Sequence, residues 1–135
     1  MTPNLPLAHC RAVVVALLVL ALACRYDGQG RRLLGDWSFT VAGLCDAGAL
    51  SLNQVEGEGF FDMVWGTWEC GTQAKRDVEI AVFDTGSVLV TFLKEPRTVK
   101  PFVYEWPMFD GTWTDNSIDG KADDGTVLRA ERVTR

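Results

Sequence analysis

The segment Gly35–Val41, with the sequence GDWSFTV, decides the fold because its side chains alternate without interruption. Every second position carries a large apolar residue, namely Trp37, Phe39 and Val41. The positions between them are acidic or hydroxylated. Alternation with a period of two places the apolar side chains on one face of an extended chain, which is typical of a β-strand with one buried face. The segment therefore predicts the first strand of a sheet.

Eight further segments of this kind follow, separated by turn-forming residues. They span residues 49–55, 60–69, 77–83, 88–93, 99–106, 109–114, 117–122 and 126–133. The connections DTGS (84–87) and DDG (123–125) are typical of tight hairpins. Pro101 predicts that the segment 99–106 starts late or lies at the edge of a sheet, since proline has no backbone N–H.

Short strands joined by consecutive hairpins predict an all-β fold, an antiparallel up-and-down meander of eight or nine strands. A sheet of this size must curl or close, so its first strand must meet its last. The chain of 135 residues is long enough for one domain, and its 47% apolar content supplies a core. We therefore expect residues 35–135 to form a closed or nearly closed barrel.

The charge balance argues against nucleic acid as a partner. The chain carries 13 basic and 18 acidic residues, a net charge of −5 at pH 7, with a pI near 4.8. Removing residues 1–23 as a leader takes away Arg11 and leaves a net charge of −6. Nucleic acids and anionic membrane surfaces select basic faces. We expect neither a nucleic-acid partner nor a polybasic membrane patch.

Residues 1–23 are typical of a secretion signal peptide. Arg11 precedes an unbroken apolar run over residues 12–23. That length suits the hydrophobic region of a signal peptide and is short for a membrane-spanning helix, which needs ~20 residues. A permanent N-terminal anchor helix is the alternative. The polar residues 24–34 then predict a short tether between the leader and the barrel.

The leader ends in LALAC (residues 20–24) and resembles the lipobox of bacterial lipoproteins. That family usually has leucine three residues before the cysteine, where this chain has Ala21. The resemblance implies cleavage before Cys24, a diacylglyceryl thioether on its sulfur and a lipid-anchored protein of the cell envelope. In that family an aspartate at the next position tends to mean retention in the inner membrane, so the resemblance implies, through Arg25, the outer membrane or cell surface. Residues 21–23 also fit the small-x-small rule of ordinary signal cleavage, so a secreted or periplasmic protein is the alternative.

Two cysteines remain for the barrel once Cys10 leaves with the leader and Cys24 takes the lipid. In an oxidising compartment Cys45 and Cys70 are a natural disulfide pair. A loop of that size contributes roughly 3 kcal/mol through the unfolded state. Two free buried thiols are the alternative. A metal site is less favoured because the only histidine, His9, lies in the leader and the chain has no CxxC pair.

Residues 35–37 (GDW) resemble the G-x-W that opens the first strand of lipocalins and their calycin relatives. Those families usually carry an arginine near the end of the last strand, stacked over the tryptophan. In the segment 126–133, Arg132 shares a face with the apolar residues and is the candidate partner of Trp37 in closing the barrel; Arg129 is the alternative. About 100 residues are short for a full lipocalin, so the resemblance extends to the barrel and not to a ligand.

Aromatic residues in the predicted barrel are numerous enough to line an apolar pocket. The candidates for the lining are Phe61, Trp65, Tyr104, Trp106 and Trp113. A cup-shaped barrel would bind a small hydrophobic ligand with such residues. The alternative is that aromatic side chains fill a narrow barrel, which has room only for side chains.

The predicted mature chain lacks the residues of common catalytic and metal sites. The absence of histidine excludes Ser/His/Asp and Cys/His chemistry. The acidic residues show no spacing that singles out a pair for glycoside hydrolysis, although a carboxylate-based hydrolase is a third hypothesis. The stretch 115–123 has the oxygen donors that begin an EF-hand loop, but Thr126 stands where that loop needs a glutamate. We therefore expect no catalytic residue, metal or cofactor.

Besides the carboxylate-based hydrolase, these observations lead to two functional hypotheses. The first is an exported, lipid-anchored barrel that binds a small apolar ligand. The alternative is a structural or interaction lipoprotein of the envelope, with a filled barrel core and no ligand. The sequence leaves the oligomeric state open.

Overall fold

The computed structural model describes residues 29–57 and 59–134. In these ranges the chain forms a short 3₁₀ helix, Gln29–Leu33, followed by eight strands. The strands are β1 (Gly35–Val41), β2 (Cys45–Gly57), β3 (Phe61–Cys70), β4 (Arg76–Phe83), β5 (Ser87–Phe92), β6 (Phe109–Trp113), β7 (Ser117–Lys121) and β8 (Val127–Arg132). The predicted leader, the predicted lipidation site Cys24 and the first part of the predicted tether lie outside the described residues.

The eight strands form a closed antiparallel barrel. Each strand pairs with the next in chain order, and β8 pairs back onto β1. At this closing seam Trp37 faces Arg132, and Val41 faces Leu128. Closure removes the free edges that an open sheet would offer to other chains. The prediction of an all-β antiparallel meander that closes on itself is confirmed.

The alternation of β1 sets which side chains enter the barrel. Trp37, Phe39 and Val41 are buried, whereas Ser38 and Thr40 are exposed. Each of the other strands also contributes one row of side chains to the interior, while β4 and β5 bury Ala81 and Thr91 on their outer faces as well. The segment GDWSFTV therefore predicted both the strand and its buried face.

The segment 99–106, predicted as one of nine strands, is not a strand. It lies in the connection between β5 and β6, residues 93–108, and its one ladder contact is an isolated bridge between Leu93 and Tyr104. The Glu105 N–H donates to the Phe92 carbonyl at 2.8 Å, but no continuous ladder follows. Three prolines in this connection, at 96, 101 and 107, lack the N–H that a ladder needs. The prediction failed because it relied on the alternation of side chains and gave too little weight to the missing backbone N–H groups.

The β2–β3 hairpin is the longest in the barrel. Gly35 at the start of β1 pairs with Leu52, whereas β2 continues to Gly57, which pairs with Asp62. Strand β2 therefore runs past the start of β1. Where its register shifts after Leu52, a Cβ on Gly66 would lie 1.9 Å from the Ser51 carbonyl oxygen, so only glycine fits there.

The two ends of the barrel are built differently. The helix end comprises the 3₁₀ helix and the β2–β3, β4–β5 and β6–β7 connections; the loop end comprises residues 93–108 and the other three connections. At the helix end Leu33 is buried in the core, and the Gly30 N–H donates to the Asp62 carboxylate at 2.9 Å. Residues 29–33, which the sequence assigned to the tether, are thus packed against the barrel.

Candidate functional site

Arg132 and Trp37 meet where the barrel closes. Besides facing each other in the β1–β8 register, they stack, with the guanidinium carbon 4.5 Å from the indole centroid. The indole N–H donates a 2.9 Å hydrogen bond to the Leu33 carbonyl. A guanidinium on an indole contributes ~0.5–2 kcal/mol. The structure thus brings the proposed closing pair together, whereas Arg129 is exposed on the outer face.

The guanidinium of Arg132 also satisfies backbone carbonyls from two other segments. Its Nε donates to the carbonyl of Asp115 at 2.7 Å, in the β6–β7 turn. Its Nη1 donates to the Leu34 carbonyl at 2.8 Å, and Nη2 donates to the Arg32 carbonyl. Gly35 makes room for this fork, since it has a φ of +130° and a Cβ there would lie 2.9 Å from Nη1. The side chain of Arg132 therefore connects β8 both to the residues just before β1 and to the β6–β7 turn.

A surface ion pair reinforces the same end. Arg32 Nε lies 2.8 Å from one carboxylate oxygen of Asp115, and Nη2 donates to the other at 2.9 Å. The hydrogen bond from Arg32 lowers the pKa of Asp115. The Arg32 guanidinium also lies 5.0 Å from the ring centroid of Trp113. Because both charged side chains are more than half exposed, we assign the pair a role in positioning more than in stability.

Buried side chains fill the interior of the barrel. The rings of Trp68 and Trp106 have centroids 4.8 Å apart, and Phe92 lies 5.5 and 5.0 Å from them. Phe92 also contacts Phe39 at 5.1 Å and Phe109 at 5.9 Å. Around this aromatic centre the inward-facing aliphatic residues are buried: Val41, Leu50, Leu52, Val64, Val78, Ile80, Val82, Val88, Val90, Ile118, Leu128 and Ala130. Of the two readings of the aromatic residues, the geometry favours the filled core.

The five residues predicted to line one pocket do not come together. Phe61 and Trp65 lie on the outer face of β3, because Asp62, Val64 and Trp68 occupy the inner face of that strand. Trp106 closes the loop end, Trp113 lies at the helix end, and Tyr104 is 47% exposed in the connection after β5. The prediction of a shared lining is therefore wrong. Successive side chains of a strand point to opposite faces, so the row with Asp62, Val64 and Trp68 faces inward and the row with Phe61 and Trp65 faces outward.

An aromatic and ionic cluster on the outer face was missed by sequence reasoning. Trp65 carries the Arg97 guanidinium 4.2 Å from its ring centroid, and Phe102 lies 6.4 Å away. The Lys100 ammonium is 3.9 Å from the Phe102 centroid. Glu79 is directly opposite Trp65 on β4; burial raises its pKa, and the attraction of Lys100 and Arg97 partly offsets that rise. This cluster holds the connection 93–108 against β3 and β4.

The missed cluster has features of packing more than of a binding site. The Arg97 backbone N–H donates to the Asp77 carboxylate at 2.9 Å, which fixes the loop to β4. The Trp65 indole N–H is buried without a hydrogen-bond partner among the described residues. The only sequence signal was the basic and aromatic composition of residues 94–106, which periodicity does not register.

Grooves occur on the outer surface. The largest of those described, about 520 Å³, runs along β8, β1 and the start of β2, with Ser38, Thr40 and Arg129 in its lining. A second, about 250 Å³, lies over β1, β2 and β3 beside Lys75. Both are open to solvent. Neither gathers the aromatic residues predicted for ligand binding.

The disulfide predicted from the cysteine count is confirmed. Cys45 and Cys70 are bonded, with their Cα atoms 6.0 Å apart. Cys45 begins β2 and Cys70 ends β3, so the bond closes the open side of the longest hairpin at the loop end. A disulfide is typical of an oxidising compartment.

No metal centre is formed within residues 29–57 and 59–134, where no three His, Cys, Asp or Glu side chains converge as ligands would. The segment 115–123, which was compared with an EF-hand loop, belongs to the β6–β7 turn, strand β7 and the residues after it. Over the same part of the chain, no helix has the length and apolarity to cross a bilayer.

Comparison with known proteins identifies no relative. No protein-family model, no curated protein and no solved structure matches this chain. The likeness to lipocalins therefore rests on a small closed eight-stranded barrel, with an arginine stacked on the first-strand tryptophan.

Proposed function

We propose that this protein is an exported, lipid-anchored domain of the cell envelope that acts as a structural or interaction module through its outer surface. The observation that carries the proposal is the filled interior. Trp68, Trp106 and Phe92 contact one another where a ligand-binding barrel keeps its cavity. A hydrophobic ligand would have to displace these rings and forfeit their packing.

Export is supported by two independent features. The leader 1–23 has the apolar run of a signal peptide. The bonded pair Cys45–Cys70 suits an oxidising compartment. We propose lipidation at Cys24, with the outer membrane or cell surface favoured by Arg25, and a secreted or periplasmic form as the alternative.

The proposed role involves neither catalysis nor nucleic acid. The predicted mature chain has no histidine and a net charge of −6, so it offers neither an imidazole base nor a basic face. The outer surface instead carries mixed charges and open grooves, which would offer polar contacts to a protein or envelope partner.

Native mass spectrometry tests the proposal. The full precursor is expressed in a bacterial host with a lipoprotein pathway, and the product is purified gently. We expect the mass of a chain that starts at Cys24 and carries acyl groups, with no small molecule retained non-covalently. Cys24→Ser is the matched control and should abolish acylation. A retained apolar molecule would overturn the filled-core proposal, and an unacylated wild-type chain would overturn the anchor.

A further inference from the structure

The helix end of the barrel carries one strongly exposed aromatic side chain. Phe60, in the turn between β2 and β3, is 85% exposed, more than any other large apolar residue described. Behind it the rings of Phe61 and Phe83 pack against each other on the outer face, with centroids 5.3 Å apart. Because β2 continues past the start of β1, this turn lies on the longest hairpin of the helix end. We call Phe60, Phe61 and Phe83 the aromatic tip.

The chain enters the barrel beside the aromatic tip. The Gly30 N–H donates to the Asp62 carboxylate, and Asp62 lies only two residues after Phe60. A Cβ on Gly30 would meet the Asp62 Cβ at 2.8 Å, so the entering chain and the base of the hairpin are in direct contact. The segment leading to the N-terminus and the aromatic tip therefore belong to the same end of the molecule.

A lipid on Cys24 would hold this end close to a membrane. Four residues separate Cys24 from Gln29 in the sequence. Even a fully extended chain spans at most ~3.3–3.6 Å per residue, so the anchor lies within roughly 18 Å of the first described residue. That reach is less than the ~30 Å thickness of a bilayer's hydrocarbon core. A barrel tethered so closely meets the membrane with its helix end more readily than with its loop end.

We propose that the aromatic tip enters the interfacial region of the bilayer that holds the Cys24 lipid. The inference rests on the proposed lipid anchor and extends it: Phe60 is a second contact with the membrane, which orients the helix end toward the lipid and the loop end away from it. Exposed aromatic side chains bury their rings at the boundary between headgroups and acyl chains, and such contacts act together with covalent lipids.

The contact is apolar in character. Glu56 and Asp84 are exposed on the strands and turns that flank the aromatic tip. These acids disfavour anionic headgroups, in contrast to the polybasic segments that bind them. Depth of insertion should therefore be no greater in vesicles containing phosphatidylglycerol than in pure phosphatidylcholine, and added salt should not release the tip.

Site-directed fluorescence measures the orientation. Phe60→Cys and the matched control Leu44→Cys, which is half-exposed in the β1–β2 turn of the loop end, are each labelled with an environment-sensitive dye. The acylated full-length products are reconstituted into phosphatidylcholine vesicles with or without a quencher on the acyl chains. We expect a blue-shifted emission that the lipid quencher suppresses at position 60, and an emission accessible to aqueous iodide at position 44. Aqueous emission at both positions, or insertion at position 44 alone, would overturn the inference.

The mass of each labelled protein separates this inference from the proposed function. An acylated chain whose position 60 stays in water leaves the anchor intact and removes only the orientation. A chain without acyl groups removes the anchor and, with it, the orientation. Phe60→Ser provides a second check, because so exposed a side chain should leave the melting temperature unchanged while dye at the nearby exposed position Glu56→Cys moves back into water.

Discussion

Arg132 combines three kinds of contact in one side chain. It stacks on Trp37, donates to the carbonyls of Leu34 and Asp115, and places its guanidinium next to Gly35, where a Cβ would leave no room for it. A planar fork of five donors makes this combination available to arginine and not to lysine. The closing seam of the barrel therefore depends on the chemistry of one residue more than on strand pairing alone.

Replacing Arg132 with alanine should lower the free energy of unfolding by about 2–4 kcal/mol. The variant loses the stacking on Trp37 and also leaves backbone carbonyls without hydrogen-bond donors. Urea unfolding followed by tryptophan fluorescence measures it. Arg129→Ala, on the outer face of β8, is the matched control and should change stability by less than about 0.5 kcal/mol. Arg132→Lys should recover only part of the loss; full recovery would show that charge alone matters.

The raised pKa of Glu79 predicts how its contribution to stability changes with pH. Burial raises the pKa of Glu79, so the folded protein holds this proton more tightly than the unfolded chain does. The contribution of Glu79 to stability therefore declines as pH rises from its ordinary pKa near 4.5 through the raised pKa of the folded state. Glu79→Gln should gain melting temperature relative to wild type as the pH rises from acid to neutral. A variant that instead loses stability toward neutral pH would show that attraction to Lys100 and Arg97 outweighs burial.

The control for this measurement is Glu95→Gln, an exposed residue of the same connection. Its melting temperature should follow that of wild type across the same pH range. If the melting temperatures of both variants changed in parallel with pH, the cause would be the net charge of the molecule and not the burial of Glu79.

Among the structural elements, the β2–β3 hairpin is the most strongly constrained. The bond between Cys45 and Cys70 closes it at the loop end, and Gly66 lets β3 approach the backbone of β2. At the helix end the hairpin binds Gly30 through Asp62, which is buried inside the barrel. The longest hairpin is thus attached at both ends.

Removing the disulfide should cost about 3 kcal/mol, because the bond restricts a loop with a sequence separation of 25 in the unfolded chain. The double variant Cys45→Ala/Cys70→Ala, unfolded in urea without reductant, measures the loss. Wild-type protein under reducing conditions is the control and should show a similar decrease. Equal stability of the oxidised and reduced proteins would contradict the assigned role.

Sequence periodicity predicted strands well and connections poorly. Gly35–Val41 has the predicted bounds because its alternation is uninterrupted. The segment 99–106 alternates as well, yet prolines and the contacts of Arg97 and Phe102 with Trp65 hold it as a loop. These two contacts join residues 32 and 37 positions apart, and periodicity within a short window does not detect them.

At the scale of the whole molecule, buried side chains from the eight strands pack together in the interior of the barrel. From the sequence, the aromatic residues could either line a pocket or fill the barrel. The direction in which each side chain points decides between these two interpretations. Trp65 and Trp68 are three positions apart on one strand and face opposite sides of the sheet. Which of them points inward depends on the packing of all eight strands, so the sequence alone predicted the strand and not the lining.

Phe92→Ala should open a cavity in the centre of the barrel and cost about 3–5 kcal/mol of stability. Phe92 contacts four other aromatic rings, which leaves few atoms free to collapse into the space. An apolar cavity of that kind stays dry and binds small aromatic molecules. Calorimetric titration with benzene should therefore show binding to the variant and none to wild type; binding to wild type would contradict a filled core. If the alanine variant is too unstable, Phe92→Leu gives a smaller cavity with the same expectation.

The pairing of β1 with β8 also determines when the protein becomes complete during its synthesis. Residues 127–132 are translated long after β1, so a nascent chain already carries seven strands while the edges of β1 and β7 are still unpaired. Unpaired edges of this kind recruit strands from other chains. A ribosome that terminates before residue 127 would thus release a product that has lost one short strand but is prone to aggregate, and quality-control proteases would treat it as unfolded.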